Sequence, residues 1–234
     1  MSAKQKVWST KLVDEVKEQI LNGFVFPKKD SPYHENRIGL RKSNAIFEMS
    51  EFELDEYIKC YSDVMYFAEN YCFVKSEDGK HKIIKLRPYQ KNILKMYRDN
   101  RFSILMAARQ SGKTISSAIY LLHYMLFNNQ KNILITANKW DTNYDVVGKI
   151  KEIYSYLPYF LQKGVVTWNQ KNISFDNKSR IRTDIVSKAA GVGANIDLWY
   201  GDEFAIPENR ILEKFYMSVY PTISSMDNSK IILT

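Results

Sequence analysis

Apolar residues recur along the chain with two different periods. From Ser9 to Asn22, the residues Leu12, Val13, Val16, Ile20 and Leu21 fall at helical spacing and predict a short amphipathic helix. Phe26 to Asn44 carries two prolines and mixed charge with no sustained period, which predicts an irregular connection. Ser50 then supplies an N-cap with Glu51 and Glu53 in an acidic first turn. Beyond it Leu54, Tyr57, Ile58, Tyr61, Val64, Met65 and Ala68 form one apolar face, predicting a helix from about 51 to 70. Glu77 to Lys80 is a turn between Cys72–Val74 and Lys82–Leu86, which predicts a small hairpin, and Pro88 opens a helix to about Arg98.

The second half alternates strand and helix. Ile104 to Met106 is a short apolar run expected to be a buried strand, followed by helix formers up to Phe127. Asn132 to Ala137 is a second buried strand. A helix from about Asp141 to Leu157 follows, with Val146, Val147, Ile150, Ile153, Tyr154 and Leu157 on one face and Pro158 as its stop. That alternation argues for an α/β fold, a mainly parallel sheet flanked by helices. Residues 165 to 186 instead alternate with period two around a turn at Asp176 to Ser179, an antiparallel excursion on the sheet edge. Lys188 to Asn195 is a glycine-rich loop, Leu198 to Gly201 a strand ending in Asp202 and Glu203, and Glu208 to Tyr220 a further helix. The final run, Lys230 to Thr234, is apolar without alternation, as a strand covered on both faces requires. These elements divide into a helical and irregular N-terminal extension, 1–50, and one α/β domain, 51–234.

Composition changes this picture little. The 234 residues are 45% hydrophobic and 14% aromatic, as in a packed globular protein, and the net charge of +8 leans toward a polyanionic partner. Cys60 and Cys72 make neither a metal cluster nor a disulfide framework, and His34, His81 and His123 are too dispersed for a zinc site. No apolar stretch reaches membrane-spanning length and the N-terminus lacks a signal-peptide core, so no membrane partner and a cytoplasmic location are expected.

The chemistry concentrates between Arg101 and Thr114. A strand, a tight small-residue loop and Gly112-Lys113-Thr114 opening a helix form the layout of a phosphate-binding loop. Backbone N–H groups at such a helix start lack intrahelical partners and sit at the positive end of its dipole. Lys113 would meet the β- and γ-phosphates and Thr114 would ligate Mg²⁺. The usual first glycine of the pattern is replaced by Ala107. Downstream, Asp202 would hold the Mg²⁺ shell and Glu203 would orient or deprotonate an attacking water.

Ala108-Arg109-Gln110-Ser111-Gly112-Lys113-Thr114 resembles the deviant phosphate loop of the large terminase subunit of tailed bacteriophages, and Asp202-Glu203-Phe204-Ala205 resembles that family's second motif. Leu86-Arg87-Pro88-Tyr89-Gln90 is similar to its adenine-recognition segment, and Val64 to Cys72 to the helix ahead of it; together these cover roughly residues 55 to 234. The resemblance implies a P-loop NTPase of the additional-strand, catalytic-glutamate type. It implies ATP and Mg²⁺ as cofactors, with Gln90 and residues Ala108 to Thr114 around the nucleotide. It also implies insertion of Ile231 to Leu233 between the phosphate-loop strand and the Asp-Glu strand, with Thr234 beginning the coupling motif. Arg109 matches the family's candidate for stabilising the transferring phosphoryl group, with Arg180, Arg182 or a neighbouring subunit as fallback. Some relatives carry an Arg-Gly pair ahead of the second motif; Val192-Gly193 stands there instead.

The implied activity is ATP hydrolysis driving double-stranded DNA into a viral procapsid, in the host cytoplasm. Implied partners are the portal protein, the small terminase subunit and further copies in a ring. No nuclease activity is expected, because the acidic nuclease cluster of the family does not occur. Two other readings fit the same residues: a helicase-like translocase, and a nucleotide-binding assembly module without turnover of its own.

Overall fold

A computed structural model describes residues 5–76, 78–108, 110–186, 195–204, 213, 216–217, 220–221, 223 and 228–234. The elements in order are β1 (Val7–Trp8), α1 (Thr10–Leu21), β2 (Ile46–Phe47), α2 (Glu51–Ser62), α3 (Val64–Tyr71), β3 (Phe73–Lys75), β4 (His81–Ile83), α4 (Pro88–Asp99), β5 (Phe102–Ile104), α5 (Lys113–Phe127), β6 (Asn132–Ala137), α6 (Trp140–Tyr156), β7 (Val165–Trp168), β8 (Asn172–Phe175), β9 (Arg180–Ile185), β10 (Leu198–Asp202) and β11 (Lys230–Leu233). The helix expected over Glu208 to Tyr220, the loop Lys188 to Ala194 and Arg109 lie wholly or largely outside the described residues.

Seven strands form the central sheet in the order β5-β11-β10-β6-β9-β8-β7. The first five are parallel, while β8 runs antiparallel to β9 and β7 to β8. The last strand of the chain thus sits between the phosphate-loop strand and the Asp-Glu strand, as the resemblance implied. Its unbroken apolar run has the expected cause: Ile232 joins the main core on one face of the sheet, and Ile231 joins a smaller cluster with Leu134, Trp199 and Ile223 on the other. The main core is built from α2 to α6 packed on the first face.

Three expectations need correction. The helix predicted over 51 to 70 breaks at Asp63, whose extended backbone (φ −137°) and carboxylate, accepting from the Met65 N–H at 2.8 Å, start a second helix. The predicted apolar face of α2 is also rotated: Leu54, Ile58 and Tyr61 are exposed, and Glu53, Glu56 and Cys60 are buried. Both carboxylates are satisfied inside. Glu53 caps Ser50 and accepts from Thr10, and Glu56 accepts from the Tyr66 and Tyr71 hydroxyls and Lys59. The Tyr71 and Lys59 hydrogen bonds hold the Glu56 carboxyl below the usual range. Finally, Ile104 and Met106 are 72% and 94% exposed: Ile104 ends β5, which is an edge strand, and Met106 lies beyond it in the connection to α5.

The N-terminal extension is ordered against the domain. Trp8, Val13, Val16 and Tyr33 cluster with Tyr159, and β1 pairs in parallel with β2. Arg41 donates to the Gln162 and Ala45 carbonyls and its N–H to Gln162 Oε1, so the segment read as an irregular connection is pinned to the end of α6.

Candidate active site

Strand register places the candidate residues along one edge of the sheet. Ile104, Leu233, Gly201 and Thr136 lie in one row across β5, β11, β10 and β6. The segments that continue from these four residues therefore emerge side by side: the loop to Gly112, Thr234, Asp202 with Glu203, and Ala137. In a parallel sheet this C-terminal edge is where ligands bind. The strand ends are stitched together by Leu105 N–H to Leu233 O at 2.8 Å, Thr234 N–H to Gly201 O at 2.9 Å and Phe204 N–H to Thr234 O at 3.0 Å.

The loop reaches α5 through left-handed backbone at Gln110 (φ 60°) and Gly112 (φ 78°). Gly112 is required twice over, since a Cβ there would also lie 2.7 Å from Gln90 Nε2. Lys113 and Thr114 then occupy the first two positions of α5. Ser111 Oγ is buried with no partner among the described residues, and the Ser111 carbonyl accepts from the Tyr89 hydroxyl at 2.7 Å. A buried hydroxyl left unpaired in a loop of this shape costs about 1–3 kcal/mol unless a ligand meets it.

Lys113 and Asp202 are brought together from opposite ends of the motif pair. Lys113 Nζ stands 3.9 Å from Asp202 Oδ1, close enough for attraction and too far for a hydrogen bond. Asp202 is 3% exposed; its Oδ1 accepts from Thr234 Oγ1 at 2.7 Å and from the Glu203 N–H at 3.1 Å. Tyr200, on the same face two residues earlier, places its hydroxyl 3.4 Å from Thr234 Oγ1. Burial first, and the Asp202 charge second, push the Tyr200 phenol well up, so it remains a neutral hydrogen-bonding group. Behind it, Tyr97 and Ser117 share a hydrogen bond at 3.1 Å. Burial raises the Tyr97 phenol to about 12. Glu203 itself sits in left-handed backbone (φ 52°), a conformation that costs a non-glycine residue about 1–3 kcal/mol and clusters at functional sites.

Gln90 is placed beside the loop in a way the sequence did not foretell. It is 6% exposed, and its Oε1 accepts from the Arg87 N–H at 2.9 Å, so the acceptor half of the carboxamide caps α4 and the Nε2 half faces Gly112. A cleft of about 560 Å³ opens there between the β3–β4 hairpin and the loop, with Val74, Lys82, Ile83, Lys85, Gln90 and Gly112 among its walls. The hairpin residues carry no local motif, so sequence reading missed them. Tyr200 was findable, because strand alternation puts residue i−2 on the face of Asp202. A larger cavity, about 790 Å³, lies between α1 and residues 155–162 and contains no loop residue.

Ala108, Gln110, Ser111, Gly112, Lys113 and Thr114 thus line one strand-to-helix connection, whereas Arg109 lies outside the described residues. Arg180 and Arg182 cannot replace it within the same chain. They align with Asn132 and Leu134 at the other end of the sheet, and Leu134 belongs to the cluster on the face opposite Tyr200. Counting strand rise and spacing, Arg180 is about 19 Å from Asp202 along the backbone grid.

Comparison with known proteins agrees with this geometry. Residues 104–219 match the family model described as terminase large subunit, T4likevirus-type, N-terminal. The crystal structure of the HK97 bacteriophage large terminase is similar at a TM-score of 0.60 and 19% identity, over 74% of this chain and 37% of that one. The Thermus phage P74-26 large terminase ATPase domain is similar at a TM-score of 0.52 and 19% identity, over 64% of each chain. The chain therefore spans less than two thirds of each of these relatives. With a P-loop sheet of the additional-strand order, and with the loop and the Asp202-Glu203 pair both inside the matched segment, residues 104–219 are identified as belonging to the large terminase family, in its N-terminal ATPase-type part.

Proposed function

We propose that this chain hydrolyses ATP and couples turnover to movement of double-stranded DNA into a procapsid, working with a portal protein, a small terminase subunit and further copies in a ring. The observation that carries the catalytic part is the meeting of Lys113 with the buried Asp202 beside Glu203, next to a loop whose Ser111 hydroxyl lacks a partner among the described residues. The packaging part rests on family membership.

The residues fit Mg²⁺. Thr114 and Asp202 offer hard oxygen donors, the ligands this ion takes with nucleotide phosphates, and among the described residues no His/Cys/Asp/Glu cluster suggests a softer metal. When bound, Mg²⁺ neutralises charge on the phosphate oxygens. Lys113 and the backbone N–H groups of Gln110 to Thr114 would hold the phosphate chain, and Gly112 would let the backbone approach it. Thr234 and the Glu203 N–H fix the Asp202 carboxylate. Glu203 orients the attacking water and takes its proton, and Arg109 stabilises charge on the transferring group. The cleft of about 560 Å³, with Val74 and Ile83 in its wall and Gln90 at its rim, would hold the adenine.

ATP turnover by the chain is measured alone, with duplex DNA and with portal protein. Mg²⁺-dependent turnover that Glu203→Gln abolishes, and that DNA and portal raise, is expected. Turnover unaffected by Glu203→Gln would overturn the site assignment. Turnover indifferent to DNA and portal would favour an ATPase without a packaging role.

A further inference from the structure

Beyond Leu134 the second face of the sheet carries an arginine pair. The alternation along β9 buries Ile181 and Thr183 and exposes Arg180 and Arg182 on that same face. Strand rise sets them about 6.7 Å apart. Around them a small cavity of about 100 Å³ is lined by the carboxamides Asn132, Asn172 and Asn195 and by Leu134 and Ile196, with no carboxylate in its wall among the described residues. Arg180 Nε donates to Asn132 Oδ1 at 2.6 Å, which orients its guanidinium without neutralising it, and the Arg182 guanidinium has no hydrogen bond or ion pair among the described residues.

What marks these two is that both guanidinium groups lie two residues apart on one strand face, and neither stands on a carboxylate among the described residues. Lys59, Lys82, Lys91, Arg98, Lys131 and Lys149 each stand on a carboxylate. Asp197, the acid nearest this rim in sequence, is held by Lys131 and by the Asn132 N–H. Asp184, two residues along the same face from Arg182, accepts from the Ile185 N–H. Two guanidinium groups in a row, with carboxamides around them and no carboxylate in hydrogen-bond contact among the described residues, match successive phosphates of a nucleic-acid backbone, which Arg binds bidentately.

We propose that Arg180 and Arg182, with Asn132, Asn172 and Asn195 around them, form a phosphodiester-binding site for duplex DNA on the sheet face remote from the nucleotide edge. The proposal rests on the packaging reading for its ligand, and it predicts backbone contacts without base readout.

The test is duplex binding by the full chain, followed by fluorescence anisotropy across a salt series, with Arg180→Ala/Arg182→Ala and Arg180→Lys/Arg182→Lys compared with the parent. Each lost phosphate contact lowers the slope of log affinity against log salt by about 0.9, so the alanine pair should lower it by about 1.8. Its deficit against the parent then shrinks about tenfold over a fourfold rise in salt. The lysine pair keeps most of the slope, and a parent-like thermal melt certifies the fold. ATP turnover without DNA stays at the parent's level in both. An unchanged slope in the alanine pair overturns the proposal, as does displacement of the duplex by inorganic phosphate at equal phosphate concentration, which would mark a free-anion site. A loss of DNA-free turnover in the alanine pair also overturns it, by assigning the arginines to a neighbour's nucleotide. An arginine-dependent slope in a chain that hydrolyses no ATP would leave this site standing and sink the ATPase reading.

Discussion

Gly112→Ala tests the loop at its tightest point. In the parent, Gly112 has φ 78°, a region that costs an L-residue about 1–2 kcal/mol. The added Cβ would also come within 2.7 Å of Gln90 Nε2. The far end of a glutamine usually yields, but this one is buried and anchored through Oε1 to the Arg87 N–H, and moving it forfeits a hydrogen bond of about 0.5–1.5 kcal/mol. Together the two effects oppose the phosphate-binding shape by about 1.5–3.5 kcal/mol, which lowers ATP affinity about tenfold to a few hundredfold if the loop relaxes by leaving that shape. Calorimetric ATP binding to Gly112→Ala, Gln90→Ala and the pair separates the contributions. The pair should recover the steric part, a coupling of about 0.5–1.5 kcal/mol, and retain the backbone part. Parent-like affinity in Gly112→Ala, or zero coupling with Gln90→Ala, would refute the argument that Gln90 buttresses the loop.

Lys113→Ala should weaken ATP binding and turnover together, whereas Glu203→Gln should bind ATP and hydrolyse almost none, as binding and single-turnover measurements would distinguish. Ile232→Ala, at a site 1% exposed, should cost about 2–5 kcal/mol in denaturant unfolding, and removal of residues 230–234 should abolish cooperative folding; a shortened chain melting at the parent's temperature would contradict the role of β11. Burial lowers the pKa of His123, whose Nε2 donates to the Cys60 carbonyl at 2.8 Å, from 6.5 to about 4. The unfolded chain therefore takes up this proton from about pH 6.5 downward and the folded chain only near pH 4, so stability falls by about 2 kcal/mol between pH 7 and pH 5. Chemical denaturation of His123→Gln should lack that decrement.

Where the sequence was informative, the reason is local. The run Lys230 to Leu233 announces a strand covered on both faces because both faces must be apolar, and Pro88, Pro158 and Ser50 mark helix ends through backbone chemistry that tertiary contacts rarely override. Where it misled, distant partners decided. Nothing near Glu53 or Glu56 shows that hydroxyls of Thr10, Tyr66 and Tyr71 will satisfy them, so the apolar stripe of α2 was assigned to the wrong side. Ile104 and Met106 look like core because edge position is a property of the whole sheet. The site divides in the same way. Gly112, Lys113, Thr114, Asp202 and Glu203 are contiguous motifs, while the hairpin wall of the cleft, the Tyr89 support and the Tyr97–Ser117 pair depend on contacts across 20 residues or more.

The position of Thr234 explains why an inserted strand suits this chemistry. Its hydroxyl holds Asp202, its N–H and carbonyl bond to Gly201 and Phe204, and the residue before it bonds to Leu105 at the start of the phosphate loop. One strand end therefore touches both halves of the nucleotide site. The alternative, a phosphate-loop strand lying directly beside the Asp-Glu strand, would leave no backbone between them to register movement of either. Ile231 and Ile232, packed in separate clusters on the two faces, hold that strand against tilting toward either side. A shift of the loop relative to Asp202 must then strain the hydrogen bonds of Thr234 before it can be absorbed elsewhere. Such a junction has few intermediate arrangements, because packed cores switch between states rather than deform smoothly. Under the proposed function, that is the property a motor would need at a junction between the phosphate loop and the Asp-Glu pair.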